Sequence, residues 1–337
     1  MRAGVFDGEY ITLEDIEKPK PRGEEILIEV RACGICGTDV HILKGEFPAS
    51  EPVVLGHELA GEVVSKGNEV NGIDIGDKVS VNPNISCGKC TYCRSGKPNL
   101  CENLQAIGVH RNGGFGEYVT IPQNKAHVFQ DAEFIEGAFS EPIACCLRGI
   151  DRLDPNEGET AAVFGGGAIG LLMLQLLKLS GASKVFLSEP IEERRNMAEK
   201  LGAFRVIDPK KYNPVEVIKS ETDGIGVDNT VEAAGLPTIF EDCINVAKKG
   251  GSILQFGVSP PEKESRIRPY QVYKKELSIF GSFVNPFTQE RAVRLIESGD
   301  LELKQLITHE LALKEIRKGI ELMESNQGIK VIIKPQL

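Results

Sequence analysis

Residues 160–189 decide the fold: Thr160-Ala-Ala-Val-Phe164, then Gly165-Gly166-Gly167-Ala168-Ile169-Gly170, then Leu171 to Ser180 stopped by Gly181, then Lys184-Val-Phe-Leu-Ser188 followed by Glu189. The apolar run 160–164 predicts a short buried strand, and 171–180, apolar almost all round, predicts a helix. A second strand follows over 184–188, with an acidic residue at its tip. A lone G-x-G-x-x-G is weak evidence, but here a strand precedes it, a helix follows and an acid stands where the next strand ends. Gly165 suits a tight turn, and Gly167 lets the backbone approach a pyrophosphate seated on the helix N-terminus. Gly170 lets the helix pack close to the sheet, and Glu189 can accept hydrogen bonds from adenosine ribose hydroxyls. Ala168 and Ile169 complete the loop.

The same alternation continues downstream. Ile191–Leu201 predicts a helix closed by Gly202, and Arg205–Ile207 a strand. Val227–Val231 predicts a strand, Pro237–Ala247 a helix and Gly251–Phe256 a strand. Strands separated by helices imply a parallel, doubly wound α/β sheet. Before residue 140 the pattern changes to short alternating strands such as Glu25–Arg31, with turns at Gly61, Gly67 and Gly76-Asp77, which predicts a mostly β domain. A chain of 337 residues is too long for one ordinary core and fits two domains. Hydrophobic content of 41% and charged content of 26% are those of a globular protein, and no apolar run approaches the length of a membrane span. The net charge of −10 argues against nucleic acid, which needs clustered Lys and Arg.

Cys87-Gly-Lys-Cys90-Thr-Tyr-Cys93, with Cys101 after seven more residues, carries the sharpest chemical signal. Zn²⁺ takes four thiolates in a tetrahedron, and Cys-x-x-Cys spacing lets two sulfurs reach one ion from a tight turn. Four cysteines leave no position open to substrate, so this zinc is expected to be structural. The competing reading is a set of disulfides. The chain opens Met1-Arg2-Ala3-Gly4 without an apolar signal segment, which favours a reducing, cytoplasmic setting and therefore the metal.

Three shorter stretches offer ligand-type side chains: Gly34-Ile-Cys36-Gly-Thr38-Asp39-Val-His41, Gly56-His57-Glu58 and Ser140-Glu141-Pro142. Taken singly, each has an ordinary explanation: a buried small thiol, a satisfied core histidine, a solvated charge. The residues by themselves leave a second metal site and these ordinary roles equally open. Cys33, Cys145, Cys146 and Cys243 read most simply as buried small hydrophobes.

Taken together and in order, residues 33–41, 56–61, 87–101, 113–118, 141–142 and 165–170 resemble the medium-chain, zinc-dependent alcohol dehydrogenases, nearest their polyol (sorbitol-like) and threonine branch. The resemblance implies a GroES-like β catalytic domain over 1–141, completed by 285–337, around a Rossmann domain over 142–284. It implies a catalytic zinc held by Cys36, His57 and Glu58, with Glu141 bound directly or through water. Thr38 and His41 take the proton-relay positions, by way of the cofactor ribose, and Asp39 orients the ligand histidine. Lys275–Phe283 matches the last Rossmann strand, and Gly257, Val258, Ser282, Phe283 and Arg194 join Gly165, Gly167, Ala168, Ile169, Gly170 and Glu189 as cofactor contacts. Substrate and nicotinamide are expected to meet in the cleft between domains. The implied cofactors are two Zn²⁺ per chain and NAD, which Glu189 favours over NADP, although Arg194 and Arg195 lie nearby. The implied partners are a small alcohol or its ketone and further copies of the chain in a homodimer or homotetramer, with no nucleic acid and no membrane.

Two departures bear on substrate. Ile42 stands where sorbitol dehydrogenases carry an aromatic residue, and Val284 where they carry arginine. Both suggest a pocket end less polar than a sorbitol site. The reading is oxidation of a secondary alcohol, such as a sugar alcohol or its phosphate, with threonine-type oxidation as the alternative. A zinc-free quinone or enoyl reductase would lack Cys36, His57-Glu58 and the four-cysteine set. A non-catalytic zinc-binding protein would not bind nicotinamide.

Overall fold

The computed structural model describes residues 1–337 and divides into two compact units, Met1–Ala144 with Val284–Leu337, and Cys145–Phe283. The first division falls inside a helix, Ser140–Leu153. No helix is long and apolar enough to cross a membrane.

The first unit is mostly β. Its main sheet runs in the order Ala126–Phe129, Lys78–Val81, Glu58–Lys66, Glu25–Gly34, Lys330–Lys334 and Ile307–Ala312, with Tyr118–Pro122 also pairing on 25–34. Strand 25–34 is central because its β-branched and small residues are buried almost throughout. Its register places Gly34 opposite Glu58 on one side and opposite Ile332 on the other. Ile28, Val30, Leu59, Phe115 and Ile333 pack beneath it. Ile42 belongs to this same core, so its apolar character has a packing reason and says little about a pocket.

The second unit is a six-stranded, wholly parallel sheet. The strands run in the order Arg205–Ile207, Lys184–Ser188, Thr160–Phe164, Val227–Glu232, Ala247–Gln255 and Ser278–Gly281. This is the doubly wound order with a switch point at 160–164. The helix after that strand is Ala168–Leu179, three residues longer at its start than the apolar run suggests, and it is buried continuously from Gly170 to Leu177. Unbroken burial explains why it is apolar all round. Pro214–Ser220 and Pro269–Lys275 are further helices, each entered through a proline in its first turn. They are too short and too polar for periodicity to mark them.

Candidate metal and dinucleotide sites

The strand register sets up the mixed cluster. Strand 25–34 runs into Ile35 and Cys36, and Cys36 is the N-cap of the helix Gly37–Leu43. Asp39, fully buried in that first turn, accepts the Cys36 N–H through Oδ2 at 2.8 Å. Gly56 has φ of +92°, a backbone that L-residues rarely adopt, and this turn delivers His57 and Glu58 to the head of strand 58–66. Cys36, His57 and Glu58 then offer one ligand atom each, all within 4.8 Å of one another. Glu141, buried in the first turn of helix 140–153, acts electrostatically on Lys330, the lysine paired with Glu58.

The donor set fits a divalent cation with an open coordination position. Sulfur, imidazole and carboxylate match three protein ligands of a catalytic zinc. Asp39 Oδ1 lies 3.6 Å from His57 Nδ1, beyond hydrogen-bonding range, and neither atom has another partner although both are buried. That orientation turns Nε2 toward the cluster, and a cation there would polarise Nδ1–H toward Asp39. Burial disfavours a charged imidazole, yet the Asp39 carboxylate and Cys36 outweigh it, so the protein groups alone raise the His57 pKa well above its usual value. A metal binding through His57 must displace that proton. Thr38 Oγ1 is 3.6 Å from Cys36 Sγ. His41, three residues on and hence on the same helix face, places Nδ1 2.6 Å from Glu46 Oε2. Two residues here are invisible to motif reading. One is Glu46. The other is Lys330, whose buried ammonium is ion-paired with Glu58 Oε2. Burial pulls the Lys330 pKa down, but Glu58, Cys36 and Glu141 more than reverse this and raise it.

The four-cysteine lobe folds as a separate loop. Asn84–Ile85 and Gln105–Ala106 pair at its base, opposite each other as Asn84↔Ala106 and Ile85↔Gln105. Cys87, Cys90, Cys93 and Cys101 bring their sulfurs within 4.8 Å of one another, and all nine cysteines are free thiols. Backbone amides point at the sulfurs: Cys87 N–H donates to Cys101 Sγ at 3.3 Å, and Cys90 N–H to Cys87 Sγ at 3.4 Å. Amides of Lys89 and Cys90 pull the Cys87 thiol down to about 6. Desolvation and the neighbouring sulfurs push Cys93 up to about 11. Four thiolates repel one another, so the cluster ionises fully only around a cation.

In the second unit the cofactor candidates gather at the C-terminal ends of parallel strands, where doubly wound sheets bind ligands. Gly165 follows strand 160–164, Glu189 follows 184–188, Gly257 and Val258 follow 247–255, and Ser282 and Phe283 follow 278–281. Ala168, Ile169 and Gly170 form the first helical turn, with Gly167 as N-cap. Gly165 has φ of +106°. A side-chain carbon on Gly167 would meet nothing nearer than Arg194 Nη1 at 4.0 Å, which is the open approach a pyrophosphate needs. Glu189 is 3% exposed; its Oε2 accepts Gly166 N–H at 2.6 Å and its Oε1 accepts Ile191 N–H at 2.9 Å. Arg195 is committed elsewhere, donating to the Glu189 carbonyl at 3.0 Å and pairing with Asp208 at 3.3 Å.

Comparison with known proteins agrees with both units. Residues 22–131 match the alcohol dehydrogenase GroES-like domain, and residues 168–298 match the zinc-binding dehydrogenase model. The chain is 37% identical to L-threonine 3-dehydrogenase of Caldanaerobacter subterraneus subsp. tengcongensis, over 95% of this chain and 94% of that one. It is 34% identical to D-arabinitol dehydrogenase 1 of Uromyces fabae, over 93% and 90%. Among solved structures, a zinc-binding dehydrogenase from Sinorhizobium meliloti 1021 bound to NADP superposes with a TM-score of 0.97 at 40% identity, covering 99% of each chain. The 2R,3R-butanediol dehydrogenase of Bacillus subtilis gives 0.91 at 31% identity, again over 99% of each. A GroES-like β unit carrying Cys36, His57 and Glu58, a doubly wound unit with its glycine turn, and relatives matched along nearly the whole length converge on one assignment: this chain belongs to the medium-chain, zinc-dependent alcohol dehydrogenase family, in its polyol and threonine dehydrogenase branch, and is an alcohol/polyol dehydrogenase.

Proposed function

We propose that the enzyme oxidises a secondary alcohol bearing a neighbouring hydroxyl to the ketone, reversibly, with NAD as hydride acceptor. The observation that carries this reading is the buried carboxylate Glu58 beside Cys36 and His57, with Glu141 close enough to be felt by the same buried charges. A carboxylate-rich shell leaves room for a vicinal diol, whose second oxygen fixes the reacting carbon for transfer. Relatives named for arabinitol, sorbitol and butanediol support the same class. Threonine-type oxidation is the second reading, supported by the relative at 37% identity.

In this reading Cys36, His57 and Glu58 hold one zinc, Glu141 assists, and Cys87, Cys90, Cys93 and Cys101 hold another. Zinc at the mixed cluster supplies a Lewis acid that lowers the pKa of a bound alcohol. Thr38, beside Cys36, receives the hydroxyl proton. His41, half-exposed on the same helix face, passes it to solvent. Glu46 holds His41 Nδ1, so Nε2 is left to take the proton. NAD is preferred over NADP because Glu189 places negative charge where a 2′-phosphate would lie. Arg194, against the glycine turn, is the residue that competes with this preference. The solved relatives include both an NADP and an NADH complex. Residues 1–141 with 285–337 serve as the catalytic domain and 142–284 as the dinucleotide domain, in a cytoplasmic homodimer or homotetramer.

The test is a screen of NAD and NADP reduction over polyols, polyol phosphates, 2,3-butanediol, L-threonine and primary alcohols. A vicinal diol or polyol should give the highest kcat/KM. Ethanol or benzyl alcohol winning by a wide margin would refute the substrate class, and L-threonine winning would favour the second reading.

A further inference from the structure

Lys330 has no counterpart in any of the motifs that define the site. It lies on strand 330–334, which pairs antiparallel with 25–34 through Ile332↔Gly34. Residues two apart on a strand share a face, so Lys330 rises on the side of Ile332 and reaches over Gly34 to Glu58, which Gly34 faces from the opposite strand. Lys330 and Glu58 are each 2% exposed, and the ammonium is bonded to Glu58 Oε2. It also stands 5.5 Å above the ring of Phe139, two residues before Glu141. The backbone makes room for this pair. A side-chain carbon on Gly34 would strike Glu58 Oε2, and would come within 2.7 Å of Lys330 Cε and 2.9 Å of Nζ. Real carbon contacts are never so close, so the glycine opening the Gly34-Ile-Cys36 stretch is explained by the passage of the lysine.

A buried carboxylate left without a partner is costly. With Lys330 present, Glu58 keeps a counter-ion whether or not a metal is bound, and only Oε1 is free to act as a ligand. Resting on the zinc reading above, we infer that Lys330 is a positioning residue: it holds Glu58 as a one-oxygen, partly neutralised ligand and so limits how tightly the mixed cluster grips its metal. Losing the ammonium should have a consequence opposite to that of ordinary damage. The metal would become the sole partner of a buried carboxylate with both oxygens available, so it would be held more strongly.

The experiment compares the wild type with Lys330→Met, Lys330→Gln and Lys330→Arg in the full chain. The mixed-cluster metal is loaded as Zn²⁺ or Co²⁺, and its loss to excess EDTA is followed. The four-cysteine metal serves as an internal reference. K330M and K330Q should release the mixed-cluster metal at least about tenfold more slowly than wild type, because release strands Glu58. Their cobalt derivatives should absorb more weakly in the visible as the carboxylate adds its second oxygen and coordination rises above four. K330R, which keeps the charge, should stay near wild type in both. If K330M does not fold, K330Q against K330R decides the same question. Release from the charge-removing variants as fast as wild type, with an unchanged cobalt spectrum, overturns the inference and leaves the metal site standing. Wild-type protein that takes up no metal at Cys36 overturns the metal reading and the inference with it.

Discussion

Asp39 performs two tasks with two oxygens, and substitutions can separate them. Oδ2 accepts the Cys36 N–H at 2.8 Å, capping the helix that carries Thr38 and His41. Oδ1 faces His57 Nδ1 at 3.6 Å. Asp39→Ala removes both. The part-buried Cys36 N–H then has no acceptor, a cost of about 1–3 kcal/mol. In a unit of this size that lowers Tm by roughly 2–12 °C. Asp39→Asn is almost isosteric, and its amide oxygen can still take the Cys36 N–H, so its Tm should stay within roughly 3 °C of wild type. Its NH₂ group, however, must then face His57 Nδ1. A donor against a donor turns the histidine to the tautomer with its proton on Nε2, the nitrogen a metal needs. Zinc affinity should fall by about 10–100-fold, equivalent to about 1.4–2.7 kcal/mol. The assays are thermal unfolding of EDTA-treated protein, which isolates the cap, and chelator competition, which isolates the metal. D39N binding zinc within twofold of wild type, or melting as low as D39A, would refute the division of labour.

Three further outcomes test the rest of the site. Cys93→Ser should cost the protein one metal per chain by elemental analysis and lower its Tm by several degrees, roughly the loss of a structural clamp, with the mixed-cluster metal retained. Thr38→Val should reduce kcat by about 10²–10⁴-fold at unchanged metal content, while Thr38→Ser keeps most of it; an active T38V enzyme would remove Thr38 from the proton path. Glu189→Ala should raise KM for NAD by about tenfold or more and narrow the preference over NADP, since two hydroxyl acceptors and their charge are lost together. A wild-type kcat/KM higher with NADP than with NAD would reverse the coenzyme assignment.

The dinucleotide unit was legible because each of its signals is local. Strand 160–164, the glycine turn and strand 184–188 lie within thirty consecutive residues, and burial on both faces makes them plainly apolar. The four-cysteine lobe was legible for the same reason, its spacing being its geometry. What periodicity could not give was the helices 214–220 and 269–275. They are seven residues each, too short to show an amphipathic stripe; the first is held by burying Pro214 and Ile218, and the second has no buried residue. Nor could it give the start of strand 247–255, where Lys248, Lys249 and Gly250 look like a loop and form an irregular stretch between the paired Ala247 and Ser252. Ile42 taught the opposite lesson. Its apolar character invited a statement about substrate, and its place in the core shows that packing alone accounts for it.

The mixed cluster marks where local reading ends. Cys36, Thr38, Asp39 and His41 share one helix start, so their spacing carries information. His57 and Glu58 arrive at the head of strand 58–66, and only register sets Glu58 opposite Gly34. Lys330 stands 272 residues beyond Glu58 in the chain and reaches it through a strand laid down after the whole dinucleotide unit. Its lysine sits in the run Lys330-Val-Ile-Ile-Lys334, where a charged residue at a strand's edge ordinarily means a solvated end. The sign that this lysine differs is Gly34, whose backbone is extended and has no conformational need for glycine. A glycine without a turn, a bulge or a positive φ points to something passing close by. Here that is the ammonium, so the residue that marks the ligand motif in sequence also records the presence of a charge from the far end of the chain.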